Sequence, residues 1–183
     1  MGVRVSVESA IQAGLFYALA TWAVARYQEA GLTVLHSNTL FSVSMLMGLP
    51  SSFLLPWLAQ RFDNRYGLLV GCGVLSSISL AMITFMPTVL PELWAVAIGF
   101  GLGGSFALSL VLPLYEAGSP LAVSRWTAMM LCTGYSLGCL TPILSGLARD
   151  LAGNYGLPFM VLTSLAVLMT LLAWLMRQGP RRA

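Results

Sequence analysis

The run LWAVAIGFGLGGSFALSLVLPLY, from Leu93 to Tyr115, contains no charged residue. A helix needs about 20 mostly apolar residues to cross the hydrocarbon core of a bilayer, and this run is long enough. Working outward from it, charges and Pro/Gly clusters divide the chain into further blocks at about Ser9 to Arg26, Leu40 to Phe62, Gly67 to Met86, Leu121 to Leu147 and Leu157 to Met176. The intervening segments hold turn formers: Gly31, Asp63 and Asn64, Pro87, Pro91, Gly118 to Pro120, and Gly153 and Asn154. None is long enough for a soluble domain. Of the 183 residues, 58% are hydrophobic and 8% charged, whereas a soluble domain carries roughly a quarter charged residues. The expectation is an all-α membrane protein, with residues 1–183 forming a single bundle of six transmembrane helices. Arg4 and Glu8 precede the first apolar run and no small-residue cleavage site follows it, so that run reads as a retained span rather than a signal peptide.

The net charge of +3 comes from nine arginines and no lysine, scattered between apolar blocks. Nucleic-acid binding needs a clustered basic face, and none is present. The arginines instead report orientation, because short cytoplasmic loops collect positive charge. Both termini inside puts Arg4, Arg61, Arg65, Arg125, Arg177, Arg181 and Arg182 in the cytoplasm and leaves only Arg26 and Arg149 outside. A bacterial inner membrane is the expected location. Cys72, Cys132 and Cys139 lie in apolar blocks and read as reduced packing residues.

Six spans make two groups of three, and the middle span of each carries helix-weakening residues: Gly48, Pro50 and Pro56 in one, Gly138, Pro142 and Gly146 in the other. Interruptions at corresponding positions of two repeats point to a transporter, and an odd number of spans per repeat makes the second repeat inverted. Pro50, Pro56 and Pro142 are the expected bends. Gly99, Gly101 and Gly104 spell a dinucleotide-binding pattern, but they sit inside an apolar block with no strand before them. They read instead as helix glycines that allow close packing or line a cavity, with Ser105 and Ser109 one turn apart on the same face.

Gln12 is costly in lipid and is expected to face protein or water. Tyr17 and Trp22 follow it on the same block, and could serve a cavity or anchor at the interface. Tyr135 and Ser136 lie within the fifth block, where anchoring is less natural. His36 stands without a second metal ligand and reads as a solvated loop residue, so neither a metal nor a cofactor is expected. No block carries a mid-span carboxylate, and no catalytic set of Ser, His, Asp or Cys is present. An enzyme is not expected.

Gly134, Tyr135, Pro142, Gly146, Arg149, Asp150, Gly153, Asn154, Tyr155 and Pro158 together resemble the eleventh helix of a major facilitator superfamily transporter and the turn into its twelfth. Gln12, Tyr17 and Trp22 resemble its seventh helix, and Gly99, Gly101 and Gly104 its tenth. The chain thus resembles the C-terminal six-helix half of that superfamily, most like the family holding cyanate transporters and nitroimidazole exporters. The resemblance implies a central cavity lined by the first and fourth spans, with the second and fifth packing against the other half. It also implies a role in gating for Arg61, Asp63 and Arg65, although Ala59 and Asn64 depart from the superfamily's motif and Ala23 stands where a proline is usual.

The first apolar run, Ala10 to Ala25, is short of a full span, and the polar residues before it suggest a reading frame that begins inside an ancestral gene. The function expected is one half of a secondary active transporter for a small polar or anionic solute, working with an N-terminal half or a second copy. The alternative is a non-transporting membrane subunit or an inactive remnant.

Overall fold

The computed structural model describes residues 2–178, so Arg181 and Arg182 lie outside the described residues. Seven α-helices follow in order: α1 (Gly2–Glu29), α2 (Val34–Phe62), α3 (Arg65–Phe85), α4 (Pro91–Glu116), α5 (Pro120–Gly138), α6 (Leu140–Ala152) and α7 (Gly156–Arg177). Five stretches are long and apolar enough to cross a bilayer: α2, α3, α4, the α5–α6 pair and α7. The chain is therefore an all-α, multi-spanning membrane protein.

Local chemistry sets the helix ends. Backbone N–H groups in the first turns are capped by side-chain oxygens: His36 N donates to Thr33 Oγ1, Gly67 N to Asn64 Oδ1 and Ala122 N to Ser119 Oγ. Pro91 and Pro120 open their helices, where a missing N–H costs nothing. Gly153 closes α6 in the left-handed region at φ 72°, the usual exit for a helix.

Helix α1, expected as the first of six spans, is not one of the five stretches long and apolar enough to cross a bilayer. It is not a short helix beginning near Ser9 but a 28-residue one, roughly 42 Å long at 1.5 Å per residue. Its polarity is turned inward: Ser6, Glu8, Ser9 and Gln12 are buried in the bundle, while Val7 and Phe16 face out. Arg4 is exposed.

Of the three prolines expected to bend helices, Pro50 and Pro56 lie inside an uninterrupted α2. The fifth block does break, between Gly138 and Leu140, and Pro142 is the cause. It has no N–H to offer the carbonyl four residues back, which is that of Gly138. Among the cysteines, only Cys72 packs inside; Cys132 and Cys139 are exposed.

The tightest packing is between α2 and α4, between α1 and α5, and between α3 and α7. Lipid supplies no hydrophobic drive between helices, so small residues that let backbones approach decide such contacts. A Cβ on Gly99 would collide with the Ser44 carbonyl of α2, and one on Gly103 would come within 2.6 Å of Gly48 Cα. Apolar side chains fill the bundle in two layers, one around Leu15, Leu40, Ile98 and Phe159, the other around Leu55, Leu69, Leu108 and Met176.

Gly99→Ala should lower the thermal midpoint of the detergent-solubilised protein, by the equivalent of about 1–3 kcal/mol for an overpacked site. Gly71→Ala, which has open space around its Cα, should leave the midpoint unchanged or raise it by up to about 1 kcal/mol through helix propensity. Circular dichroism during heating distinguishes the two.

Candidate functional site

Four helices converge on one cleft. Gln12, Phe16 and Tyr17 come from α1, Met45, Gly48, Leu49 and Ser52 from α2, Leu102, Gly103 and Phe106 from α4, and Tyr135 from α5. The volume is about 270 Å³. Its walls are apolar, and its few polar groups are neutral: an amide, two phenols and a hydroxyl. Such a lining, mostly apolar with a few placed polar groups, is typical of small-molecule sites. Gln12 is fixed by donating from Nε2 to the Leu102 carbonyl at 3.1 Å, a bond between α1 and α4. The Tyr17 and Tyr135 rings stand 6.3 Å apart across the cleft. A larger groove of about 390 Å³ lies between α1, α5, α6 and α7, but it offers only Ser6, Thr133 and Thr141 as polar side chains.

The structure separates the residues singled out in the sequence. Gln12, Tyr17 and Tyr135 meet in the cleft. Trp22 does not; its indole donates to the Pro142 carbonyl at 2.9 Å and its ring packs at Gly146, joining α1 to α6. Gly101 faces α3, where a Cβ would meet Ser76 and Cys72. Ser105 is buried and donates back to the Leu102 carbonyl, and Ser136 is exposed outside the cleft. Ser109 donates to Glu8 Oε2 at 2.7 Å, inside the α1–α4 contact. Glu8 was not expected as a site residue, yet it is fully buried. Its spacing of one helical turn from Gln12 put both on one face of α1, and that was the available signal.

At one end of the bundle, Asp63 terminates α2 with φ 47° and accepts from Arg65 Nη2 at 2.9 Å. Arg65 also lies over the Tyr115 ring, 3.6 Å from its centroid, and Arg61 over Trp57. Arg65 thus ties the α2–α3 turn to the end of α4, while the contact of Arg61 stays within α2. At the opposite end Arg26 donates to Glu29 at 3.0 Å and to the Thr84 carbonyl at 2.6 Å, and Glu29 in turn accepts from the Tyr155 backbone N–H. His36 is not a loop residue; it sits in the first turn of α2, with Nε2 2.8 Å from Glu92 Oε1 of α4. Among the described residues no group of side chains could hold a metal.

Superposed on solved structures, the whole chain matches the crystal structure of the POT family transporter PepTSo with a TM-score of 0.79 and 14% identity, over 39% of that chain. The chain shares the fold of that part of PepTSo. In sequence the chain is similar to the cyanate transport protein CynX of Escherichia coli, 32% identical over 142 residues, which are 78% of this chain and 37% of that protein. It is 25% identical over 170 residues to the uncharacterized transporter YycB of Bacillus subtilis, covering 92% of this chain and 42% of that one. Similarity to the 2-nitroimidazole transporter of Escherichia coli is 23% over 168 residues, with the same coverage. No family model matches. The chain spans about two-fifths of the length of these relatives. All three relatives are named as transporters.

Trp22→Phe keeps the ring and removes the N–H that reaches the Pro142 carbonyl. It should cost about 0.6–1.7 kcal/mol, the scale of an interhelical hydrogen bond in a membrane protein, and heating in detergent should show the drop without a change in helix content.

Proposed function

We propose that this chain is the C-terminal half of a secondary active transporter of the major facilitator type, moving a small polar or anionic solute by alternating access with an N-terminal six-helix half or a second copy. The observation that carries the reading is the match of the entire chain to about two-fifths of a transporter, with a polar-tipped cleft among its helices. The helix contacts agree with two inverted repeats. Exchanging α1 with α4, α2 with the α5–α6 pair, and α3 with α7 turns the α2–α4 contact into the α5–α1 contact and leaves α3–α7 in place. Those are the three tightest pairs. Gly48 on α2 and Gly138 on α5 match under the exchange, each packed on its partner helix, Gly48 near Gly99 and Gly103 and Gly138 near Ala13.

The second half belongs on the face that this bundle leaves open. α2 and the α5–α6 pair are the least buried of the five apolar stretches, and Leu49, Phe53, Tyr135 and Leu137 are exposed on them. Rocking of two such bundles about a shared cavity is how transporters of this architecture work. The arginines support both termini in the cytoplasm of a bacterial inner membrane, since Arg4, Arg61, Arg65, Arg125 and Arg177 occur at or near one set of helix ends and Arg26 and Arg149 at the other. Gln12, Tyr17 and Tyr135 supply neutral hydrogen-bond donors, which suit a small solute such as cyanate or 2-nitroimidazole, the solutes named for two of the relatives.

Uptake of labelled cyanate and 2-nitroimidazole into proteoliposomes tests the reading, with the chain alone and with the N-terminal six helices of the cyanate relative. Uptake is expected where a complementary half or second copy is present. Gln12→Ala and Tyr135→Phe should each reduce it about tenfold, the equivalent of about 1.4 kcal/mol, and Ser136→Ala should not. No uptake in any arrangement would point to a non-transporting subunit. Size-exclusion chromatography adds a second check, because a stable, monodisperse monomer would contradict the need for a partner.

A further inference from the structure

Glu8 is the one carboxylate fully buried among the described residues, and α1 and α4 of this chain enclose it. The hydroxyl of Ser109 donates to Oε2 at 2.7 Å, and Oε1 has no hydrogen-bond partner. Beside it lies the buried hydroxyl of Ser9. Among the described residues no cation pairs with Glu8. Arg4, one turn earlier on α1, is exposed. α4 presents only the Ser109 hydroxyl, α5 presents Met130 and Gly134 at this level, and the titratable group felt from α3 is the thiol of Cys72. A buried carboxylate without a counter-charge is strongly disfavoured. A proton on Oε1 removes the charge.

The site is also connected. A small cavity of about 20 Å³ is bounded by Ser9 and Ser109 on one side and by Gln12, Phe106 and Tyr135 on the other. The last three are walls of the 270 Å³ cleft as well. The small cavity admits one water, which excludes an organic cation as the ligand and leaves a proton carried by water.

We propose that Glu8 is a proton-binding site, exchanging its proton with the cleft through the cavity at Ser9 and Ser109. Deprotonation breaks the Oε1–H bond and passes H⁺ to that water, leaving the carboxylate held by Ser109; reprotonation reverses the step. In the transporter reading, on which only this last consequence rests, the charge of Glu8 changes with what occupies the cleft, and solute movement is tied to a proton.

Infrared spectroscopy of the purified full chain tests the site without any transport assay. At neutral pH the wild type should show the C=O stretch of a protonated carboxylic acid. Glu8→Gln, isosteric with the neutral acid, should lose it. Ser109→Ala should keep the band but move it to higher frequency, because the carbonyl loses its donor. Raising the pH should remove the band reversibly while the helices persist. No band, a band untouched by Glu8→Gln, or a band that survives at alkaline pH until the protein unfolds would each overturn the proposal. Because the probe is the proton alone, these outcomes are separate from success or failure of the uptake measurement.

Discussion

The approach of the α4 backbone to α2 governs the rest of the arrangement. Gly99 and Gly103 have no side chain to hold the helices apart, and Ser44 and Gly48 of α2 take up the space. On the neighbouring face of the same helix, Gly101 is pressed against Ser76 and the Cys72 carbonyl of α3. In a medium where burying apolar side chains gains nothing over lipid, this geometric fit is the main source of association. It brings α4 into the centre of the bundle, where its third face meets α1. There the Leu102 carbonyl receives Gln12 and Ser109 reaches Glu8. The cleft and the buried acid are both products of where the glycines allow α4 to sit.

Most of the fold was legible because the bilayer imposes a length on each apolar run and expels charge and turn formers to the ends. Gly31, Asp63, Asn64, Pro91, Pro120 and Gly153 all fall at helix boundaries or caps. The dinucleotide-like glycines were rightly read as helix-packing residues, since the rule of no strand before them decided it. The first apolar run reads as short of a span, and α1 is not among the five stretches apolar enough to cross a bilayer; its extension back to Gly2 is not legible because hydropathy scores a segment by its average, whereas α1 turns its polar residues inward and hides them against its neighbours. Average hydropathy cannot distinguish a polar residue facing water from one facing a hydroxyl on the next helix.

The site was legible only in part. Gln12, Tyr17 and Tyr135 were identified from the cost of polar groups at depth, and they share the cleft. Trp22 resembled them in sequence, but a one-dimensional pattern does not say that its indole meets a backbone carbonyl of the broken fifth block. Pro142 lies in that broken helix, and its own carbonyl is the group that Trp22 reaches. Glu8 required knowledge of which helix would face it, which depends on the α1–α4 contact and hence on glycines ninety residues away.

The interruption at Cys139 has a further consequence. A continuous helix frays from its ends, but the α5–α6 pair has an additional internal boundary where the backbone ladder is incomplete. Amide protons on either side of it need not open together, because the interruption separates two hydrogen-bonded ladders. One is pinned to α1 by Gly138 lying on Ala13, the other by the Trp22 indole. The helix that contributes Tyr135 to the cleft can therefore relax independently of the helix that leads into the Gly153 turn.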